Sequence, residues 1–394
     1  MTLIDTAHTL SGQLSKRVSL LILQPTPFCN LDCDYCYLPD RLSTRRMPEA
    51  TALKAVDRLV EADLAGDSLS IVWHAGEPMT LPASYYEGVF QALRQRFPAI
   101  QFRHSFQTNG TLINDAWCEF FLKWNVNLGL SIDGPAFLHD AHRRDRAGKG
   151  THEKVMTGVK CLHSHGVEFH VIAVVTSLSL THAEQIFDFF AGLGVSNLGF
   201  NIEELEGTHQ FSSLTAARIS QIHAFFEAIA IRQQQSSHRL TIREFNNALS
   251  AIACPPGCSL EPGALCNDQG MPLAIVTVAW NGDLSTFSPE LIGVKSVEFG
   301  DFIFGNVLTG SLATMTASEK FIRLANAIES GRKECLARCE YFPVCGGGAP
   351  SNKYFENADF ATTETMYCKS VIQIPIQIML GKMEQELGIA YPIT

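Results

Sequence analysis

The chain has 394 residues, of which 46% are hydrophobic, so it is long enough for one or two packed domains. No apolar run approaches the roughly 20 residues that span a membrane, and the first sixteen residues lack the apolar core of a signal peptide, so we expect a cytoplasmic protein. The formal net charge of −10 argues against nonspecific nucleic-acid binding and permits a basic peptide partner. Twelve cysteines in such a protein indicate metal or redox chemistry and not disulfides.

The first half of the chain alternates short apolar stretches with amphipathic ones. Strands are predicted at residues 17–24, 69–73, 101–107, 126–132, 167–175 and 198–202. Helices are predicted from Pro48 towards Gly66 and at residues 83–96, 115–123, 152–165 and 181–192. Six strands that alternate with helices predict parallel βα units, and so one open α/β domain.

The second half has a different composition. Helical pieces are predicted at residues 215–250, 317–330 and 370–387. From Cys254 onward the chain becomes rich in Cys, Pro and Gly, which indicates a domain boundary. A strand at residues 273–279 runs into the turn signal Asn281-Gly282, which predicts a hairpin.

Three cysteines follow the first predicted strand in the order Cys29-x3-Cys33-x2-Cys36. Three thiolates on one tight loop can hold three irons of a 4Fe–4S cluster, which normally takes four cysteines, so one iron stays open to another ligand. A zinc site or three inert buried thiols is the alternative. Zinc sites usually pair C-x2-C units, so this spacing favours the cluster.

Three further motifs follow predicted strands two, three and four. They are His74-Ala75-Gly76-Glu77-Pro78, Gln107-Thr108-Asn109-Gly110 and Ser131-Ile132-Asp133-Gly134-Pro135, and Arg143 comes shortly after the last. Each alone is an ordinary turn after a strand. Since parallel strands end at one edge of a sheet, these turns are expected to lie near the cysteine loop.

A second group of cysteines lies near the carboxyl end: Cys335, Cys339, Cys345 and Cys368, with three glycines after Cys345. Glycine lets backbone amides approach sulfur and iron closely, so these four predict a complete second cluster, with structural zinc as the alternative. Cys254, Cys258 and Cys266 form a third, incomplete group. Cys118 and Cys161 fall on predicted helices among apolar neighbours and are interpreted as small buried hydrophobes without a role.

The cysteine loop and the motifs after strands two to four resemble the radical S-adenosylmethionine (SAM) superfamily. This resemblance implies a partial (β/α)6 TIM-like barrel with its active site at the carboxyl ends of the strands. It also implies that the cluster on Cys29, Cys33 and Cys36 binds SAM and cleaves it to a 5′-deoxyadenosyl radical. The SAM-binding residues implied by the matching motifs are Gly76, Glu77, Pro78, Asn109, Ser131, Asp133 and Arg143, with Glu77 at the amino group, Ser131 at the ribose and Arg143 at the carboxylate.

The Cys-rich segment resembles the SPASM extension, which carries auxiliary 4Fe–4S clusters. The expected units are a lead-in (1–16), the partial barrel (17–210), a helical connection (211–253), the SPASM domain (254–370) and a final helix and tail (371–394). The chain departs from the family pattern where Phe287 and Ala349 replace expected cysteine ligands. Whether Cys254, Cys258 and Cys266 hold a cluster therefore stays open.

The closest resemblance is to peptide-modifying radical SAM/SPASM maturases of the glycine-rich-repeat (GrrM/OscB) type. It implies hydrogen abstraction from a side chain of a precursor peptide and a carbon–carbon bond to an aromatic residue, which gives a cyclophane. An auxiliary cluster would take the electron that the new bond releases, and a flavodoxin or ferredoxin would supply the reducing electron. One alternative is formylglycine formation, as in anaerobic sulfatase maturases, whose base is replaced here by Ser288. The other is a non-catalytic iron–sulfur or peptide-binding protein.

Overall fold

The computed structural model describes residues 14–253 and 267–388. In these ranges one sheet contains ten strands in the order β10-β9-β8-β1-β2-β3-β4-β5-β6-β7. The strands are β1 (Leu20–Leu23), β2 (Ser68–Trp73), β3 (Gln101–Thr108), β4 (Asn127–Ser131), β5 (Phe169–Val175), β6 (Asn197–Ile202), β7 (Thr241–Ile242), β8 (Ile275–Val278), β9 (Asp283–Thr286) and β10 (Gly305–Asn306).

Strands β1 to β7 are all parallel, in chain order. The helices that lie between or after them are α1 (Glu49–Glu61), α2 (Ala83–Arg96), α3 (Asp115–Trp124), α4 (Ala136–His142), α5 (His152–His165), α6 (Ala183–Gly192), α7 (Ile219–Gln235) and α8 (Arg243–Ala253). This arrangement confirms the predicted α/β fold, and it brings the ends of successive strands to one edge of the sheet.

The alternation of burial along β2 shows how the sheet meets the helices. Leu69, Ile71 and Trp73 are fully buried and point to one face, where Trp73 packs edge-on against Tyr86 of α2. Successive side chains of a strand point to opposite faces. The helix side of the sheet is therefore the aromatic core, and the opposite side is left for polar groups such as Gln107 and Ser131.

The predicted hairpin is present, but it does not stand apart from the barrel. β8 and β9 pair antiparallel around Asn281-Gly282, and β8 also pairs parallel with β1, with Leu20 opposite Ile275. The chain after residue 267 thus returns to the edge of the first strand. A domain boundary at residue 254 stays a prediction.

The carboxyl-terminal part adds α9 (Leu312–Thr316), α10 (Glu319–Arg338), α11 (Phe342–Cys345), α12 (Pro350–Asn357), a π-helical stretch (Cys368–Gln373) and α13 (Ile374–Leu387). Helix α10 runs eight residues past its predicted end and includes Cys335. Lys382 of α13 donates to the Ala230 carbonyl of α7 at 2.6 Å, so the last helix packs on the barrel. Within the described ranges, no helix has the length and apolar character needed to cross a membrane.

Candidate functional site

The loop that follows β1 carries Cys29, Cys33 and Cys36, which are half-buried. Main-chain bonds fix its shape: the Cys36 amide donates to the Cys33 carbonyl at 3.3 Å, and the Cys29 amide donates to the Arg41 carbonyl at 3.1 Å. Arg146 donates to the Cys29 carbonyl at 2.9 Å. The loop is therefore held from outside, and its three thiols stay free of covalent partners.

These thiols fit a polynuclear cluster better than a single ion. Burial, followed by the negative charge of Glu77, raises the pKa of Cys29 to about 12. Burial raises the pKa of Cys33 to about 11, although the Arg143 guanidinium acts in the opposite direction. Metal must then replace the thiol protons. Among the described residues, the one group of three or more Cys, His or acidic side chains close enough to share a single metal ion lies elsewhere in the chain. The sulfur atoms of Cys29, Cys33 and Cys36 are therefore not all within 4.8 Å of one another, which suits several irons better than one ion.

The turn after β2 packs directly on the cysteine loop. Ala75 and Gly76 both have left-handed backbone conformations, with φ of 74° and 58°. A Cβ atom on Gly76 would lie 2.5 Å from the carbonyl oxygens of Thr26 and Phe28, so only glycine fits there. The Glu77 amide donates to the Phe28 carbonyl at 2.7 Å. The His74–Pro78 motif thus supports the chain immediately before Cys29.

The Glu77 side chain joins two turns. Its carboxylate is buried and accepts hydrogen bonds from the Met79 amide (2.9 Å), the Thr108 hydroxyl (2.7 Å) and the Asn109 amide (2.8 Å). Burial raises its pKa, and these three hydrogen bonds oppose the rise. Both oxygens are engaged by the protein, so the structure gives Glu77 a positioning role. Its contact with the amino group of SAM stays a prediction.

Asn109, in the turn after β3, lies beside the first cysteine. Its side-chain nitrogen Nδ2 is 2.9 Å from Asn30 Oδ1 and 3.8 Å from Cys29 Sγ. Its own oxygen accepts from the Thr111 amide at 3.0 Å. The structure therefore brings the predicted Asn109 turn next to the cysteine loop, as the parallel fold requires.

The motif after β4 forms a buried ionic network. Arg143 Nε and Nη2 donate to the two oxygens of Asp133 at 2.9 and 3.1 Å, and the Tyr35 hydroxyl donates to Asp133 at 2.5 Å. The Val174 amide also donates to this carboxylate. Burial raises the pKa of Asp133, but the charges of Arg143 and His139 and the hydrogen bonds from Arg143 and Tyr35 together hold that pKa below its ordinary value.

This network changes the interpretation of Arg143 and Asp133. The bidentate geometry predicted for the SAM carboxylate is formed instead with Asp133, because the two side chains are buried side by side. The guanidinium also lies over the Tyr35 ring, 5.4 Å from its centroid. Ser131 accepts from Gln107 Nε2 at 2.9 Å. Arg143 and Asp133 therefore fix the tyrosine between Cys33 and Cys36, and ligand contacts by Ser131, Asp133 and Arg143 stay predictions.

A group of half-buried carboxylates was missed by the sequence interpretation. Glu204 and Glu206 follow β6, and Glu290 lies in the turn after β9. Burial, with the charge of Glu290 adding to it and the hydrogen bond from Asn352 opposing it, raises the pKa of Glu204 to about 7. Burial and the charges of Glu290 and Glu204 raise the pKa of Glu206 well above its ordinary value. The three side chains come from distant parts of the chain, so no local pattern marks them.

These carboxylates lie between the two cysteine groups. The Tyr37 hydroxyl, one residue after Cys36, is 2.8 Å from His74 Nε2. Burial raises the pKa of Tyr37, and the charges of Glu290 and Glu206 raise it further, because all three groups are close. On the other side, Asn352 of α12 donates to Glu204. Burial lowers the pKa of His74 to about 4, so the ring is neutral at neutral pH.

The second cysteine group is surrounded by hydrogen-bond donors. Gly346, Gly347 and Gly348 all have positive φ, and the Gly347 amide donates to Cys345 Sγ at 3.4 Å. The buried Lys353 ammonium lies 3.3 Å from Cys335 Sγ, and Gln373 Nε2 lies 3.4 Å from Cys368 Sγ. Amide and ammonium donors stabilise thiolates, so these residues fit a thiolate-bound cluster. That all four cysteines ligate one cluster stays a prediction.

The third cysteine group, Cys254, Cys258 and Cys266, lies outside the described residues. Asn267, immediately after it, donates to the Gly348 carbonyl at 2.7 Å and lines a cavity of about 350 Å³ with Cys345 and Ala349. Phe287 is fully buried in the hydrophobic core, with φ of 75°. The two replaced ligand positions are thus an apolar core residue and a small wall residue.

A larger cavity of about 740 Å³ lies at the other end of the barrel. Its lining includes the first residues of β4, β5 and β6, which are Asn127, Phe169 and Asn197, and it contains none of the predicted site residues. In parallel α/β folds the chemistry is found at the carboxyl ends of the strands. The larger volume is therefore not the site that the motifs define.

The comparisons with known proteins agree with this geometry. A family model described as the Radical SAM superfamily matches residues 23–206, and a protein of Synechocystis sp. (strain PCC 6803), described as uncharacterized, is 39% identical over 378 residues, covering 94% of each chain. The chain belongs to the radical SAM superfamily. It is therefore a radical SAM enzyme whose cofactors are SAM and 4Fe–4S clusters, and the residues above fit both.

Several named relatives modify sulfatases. The serine-type anaerobic sulfatase-maturating enzyme of Bacteroides thetaiotaomicron is 24% identical, covering 93% of this chain and 90% of the enzyme. The enzyme of the same name from Klebsiella aerogenes is 36% identical over 192 residues, about half of each chain.

Solved structures share the fold. The anaerobic sulfatase-maturating enzyme anSMEcpe, with bound AdoMet and Cp18Cys peptide, superposes with a TM-score of 0.73 at 22% identity, covering 94% of this chain and 98% of that chain. Streptococcus suis SuiB bound to its precursor peptide SuiA superposes with a TM-score of 0.65 at 16% identity, covering 93% and 79%.

Proposed function

We propose that this radical SAM enzyme modifies a ribosomally made precursor peptide and forms a carbon–carbon cross-link to an aromatic residue. The observation that carries the proposal is the group of half-buried carboxylates, Glu204, Glu206 and Glu290, between the two cysteine groups. The peptide-bound relatives support a peptide substrate. The resemblance of residues 285–290 to the glycine-rich-repeat maturases supports the cyclophane.

The proposed cofactor site is built from the residues that the motifs predict. Cys29, Cys33 and Cys36 would hold the cluster that binds SAM, and the bound pair supplies a carbon radical that abstracts a substrate hydrogen. The turns at Gly76–Pro78 and Asn109, together with Ser131, would surround the ligand. Asp133 and Arg143 keep Tyr35 in place beside Cys36. A flavodoxin or ferredoxin is the electron donor of this proposal.

The carboxylates supply what a cross-link requires. When a carbon radical on the peptide joins an aromatic ring, the ring regains aromaticity only after one electron and one proton leave it. With its pKa near 7, Glu204 is poised to take that proton at neutral pH. The electron needs a separate acceptor, and Cys335, Cys339, Cys345 and Cys368 are the residues proposed to hold one.

The test is co-expression with a peptide encoded beside the enzyme that has glycine-rich repeats and aromatic residues. The expected product is lighter by two hydrogens per modification, and its tandem mass spectrum lacks fragments between the two joined residues. Glu204→Gln and Glu290→Gln should still cleave SAM but give at least tenfold less cross-linked product. Glu298→Gln, at an exposed position, is the matched control and should behave as wild type. Normal product from both Glu204→Gln and Glu290→Gln would remove the carboxylates from the mechanism.

Formylglycine formation is the second candidate, and one contact favours it. Ser288 cannot act as a base, but its hydroxyl donates to the Glu290 carboxylate. A half-buried carboxylate therefore lies beside Ser288, the position at which the sequence lacks the expected base. The same mass spectra separate the candidates, since a loss of two hydrogens confined to one Ser or Cys, with complete fragmentation, identifies formylglycine. Superfamily membership leaves the non-catalytic alternative without support.

A further inference from the structure

Two helices on the outside of the barrel bring together four metal-binding side chains that the sequence interpretation left without a role. Asp115 and Cys118 lie one turn apart on α3, and Cys161 and His165 lie one turn apart on α5. One atom from each of Cys118, Cys161 and His165 lies within 4.8 Å of the others. We propose that Asp115, Cys118, Cys161 and His165 form a site for one zinc ion that joins α3 to α5.

The distances fit a single tetrahedral ion. Bonds of about 2.3 Å to sulfur and about 2.0–2.1 Å to nitrogen or oxygen place neighbouring ligand atoms roughly 3.3–3.8 Å apart. Cys118 Sγ and Cys161 Sγ are 3.6 Å apart, Cys161 Sγ and Asp115 Oδ1 are 3.3 Å apart, and His165 Nε2 and Asp115 Oδ1 are 3.6 Å apart. These three separations are close to the edge lengths of such a site. The Asp115 carboxylate is not within 4.8 Å of all three other ligand atoms, so its exposed side chain would turn towards the ion to complete the tetrahedron.

The histidine is oriented as a zinc ligand. His165 Nδ1 lies 3.0 Å from the Cys161 carbonyl oxygen, to which it donates in the tautomer that carries its proton on Nδ1. That tautomer leaves the lone pair on Nε2, which faces Asp115. Zinc-bound histidines usually donate their other nitrogen to a carbonyl or carboxylate in this way. The backbone of α5 thus selects the nitrogen that binds the metal.

The charges around these four side chains and the solvent access to them also fit a zinc site. In the described part of the chain, no Lys or Arg lies within 4.0 Å of the Asp115 carboxylate, whose one ion-pair partner is His165. Cys118 is fully buried, whereas the Asp115 side chain is 80% exposed. Zinc can therefore enter from the Asp115 side, and two thiol protons leave as it binds.

The zinc ion would stabilise the cysteine-loop site without contacting it. Helix α5 packs tightly against the turn that follows Asn109, since a Cβ atom on Gly158 would lie 2.6 Å from the Gly110 carbonyl oxygen. Helix α3 begins at the other end of the same turn, after its cap Asn114. Zinc between the two helices fixes both ends of the segment that places Asn109 beside Cys29. The role of this metal is structural, and it does not depend on which peptide the enzyme modifies.

The test measures zinc in the cluster-loaded enzyme, purified anaerobically from zinc-supplemented cells. Wild type is expected to hold about one zinc per chain, and Cys161→Ser and His165→Gln should lose it while keeping the wild-type iron content. His163→Ala, two residues away on the same helix and bonded to the Leu193 carbonyl, is the matched control and should keep its zinc. The unchanged iron content shows that the variants fold, and replacement of the half-buried His165 by a polar glutamine is the milder of the two changes.

Cobalt(II) gives a second readout on the same proteins. Wild type and His163→Ala should develop tetrahedral ligand-field bands with thiolate charge transfer, and His165→Gln should not. Zinc content that is equal in wild type, Cys161→Ser and His165→Gln would overturn the proposal. So would wild-type protein without zinc, whether its Cys118 and Cys161 are free thiols or are joined in a disulfide that lowers the mass by two hydrogens.

Discussion

Replacing Arg143 with Met would leave the Asp133 carboxylate buried without its cation. Two hydrogen bonds would be lost, those from Nε and Nη2, while the bonds from Tyr35 and Val174 would remain. Breaking a buried ion pair on one side costs about 3–5 kcal/mol. With an unfolding entropy of roughly 2.1 cal/mol/K per residue over this chain, that cost lowers Tm by roughly 4–6 °C.

The informative comparison is the double variant Asp133→Asn/Arg143→Met. Asn has no charge to leave unpaired, so the double variant should melt above Arg143→Met, within about 2 °C of wild type. Arg144→Met, next to it and exposed, should not shift Tm. Calorimetry under anaerobic conditions measures all four proteins, and SAM affinity is measured in parallel. If Arg143 also binds the ligand carboxylate, the double variant regains stability but not affinity.

Two outcomes would refute this reasoning about the ion pair. One is an Arg143→Met variant that melts with wild type, which would mean that the pair carries no stability. The other is a double variant that melts below Arg143→Met, which would mean that Asp133 is not the charge left behind.

Two further predictions concern the turn after β2 and the third cysteine group. The left-handed backbone conformation of Ala75 costs about 1–2 kcal/mol, and Ala75→Gly removes this cost. After the conformational entropy of the added glycine is subtracted, the substitution should raise Tm by about 1 °C. Ala92→Gly inside α2 is the control and should lower Tm, and a lower Tm for both variants would show that Ala75 is unstrained. Iron analysis after anaerobic reconstitution should give about twelve irons per chain if three clusters form and about eight if two form. Equal iron in wild type and in the Cys254/Cys258/Cys266 triple Ala variant would exclude a cluster on those residues.

The periodic parts of the fold could be predicted from the sequence. The predicted limits of α2 and α5 coincide with the structure, because apolar spacing and end signals such as Gly166 act locally. The hairpin was also predicted from its turn residues. Its place in the sheet was not, since the pairing of β8 with β1 joins residues 255 positions apart.

For the site as for the fold, features set by nearby residues could be predicted, and features set by residues distant in the chain could not. Gly76 and Asn109 lie beside the cysteine loop because parallel strands end at one edge, which the sequence already implied. The partners of Glu77 and Arg143 could not be read from their motifs, since each motif shows a charged residue but not the buried groups that face it. Glu204 and Glu290 meet only in the folded chain, and so do Cys118 and Cys161.

The most direct test of the account is reductive SAM cleavage by the reconstituted enzyme. The wild-type protein, given dithionite and SAM, is predicted to release 5′-deoxyadenosine and methionine. The Cys29/Cys33/Cys36 triple Ala variant is predicted to release neither, while it keeps the iron bound by the carboxyl-terminal cysteines. Formation of 5′-deoxyadenosine by the triple variant at the wild-type rate would contradict the assignment of this loop as the SAM-binding cluster site.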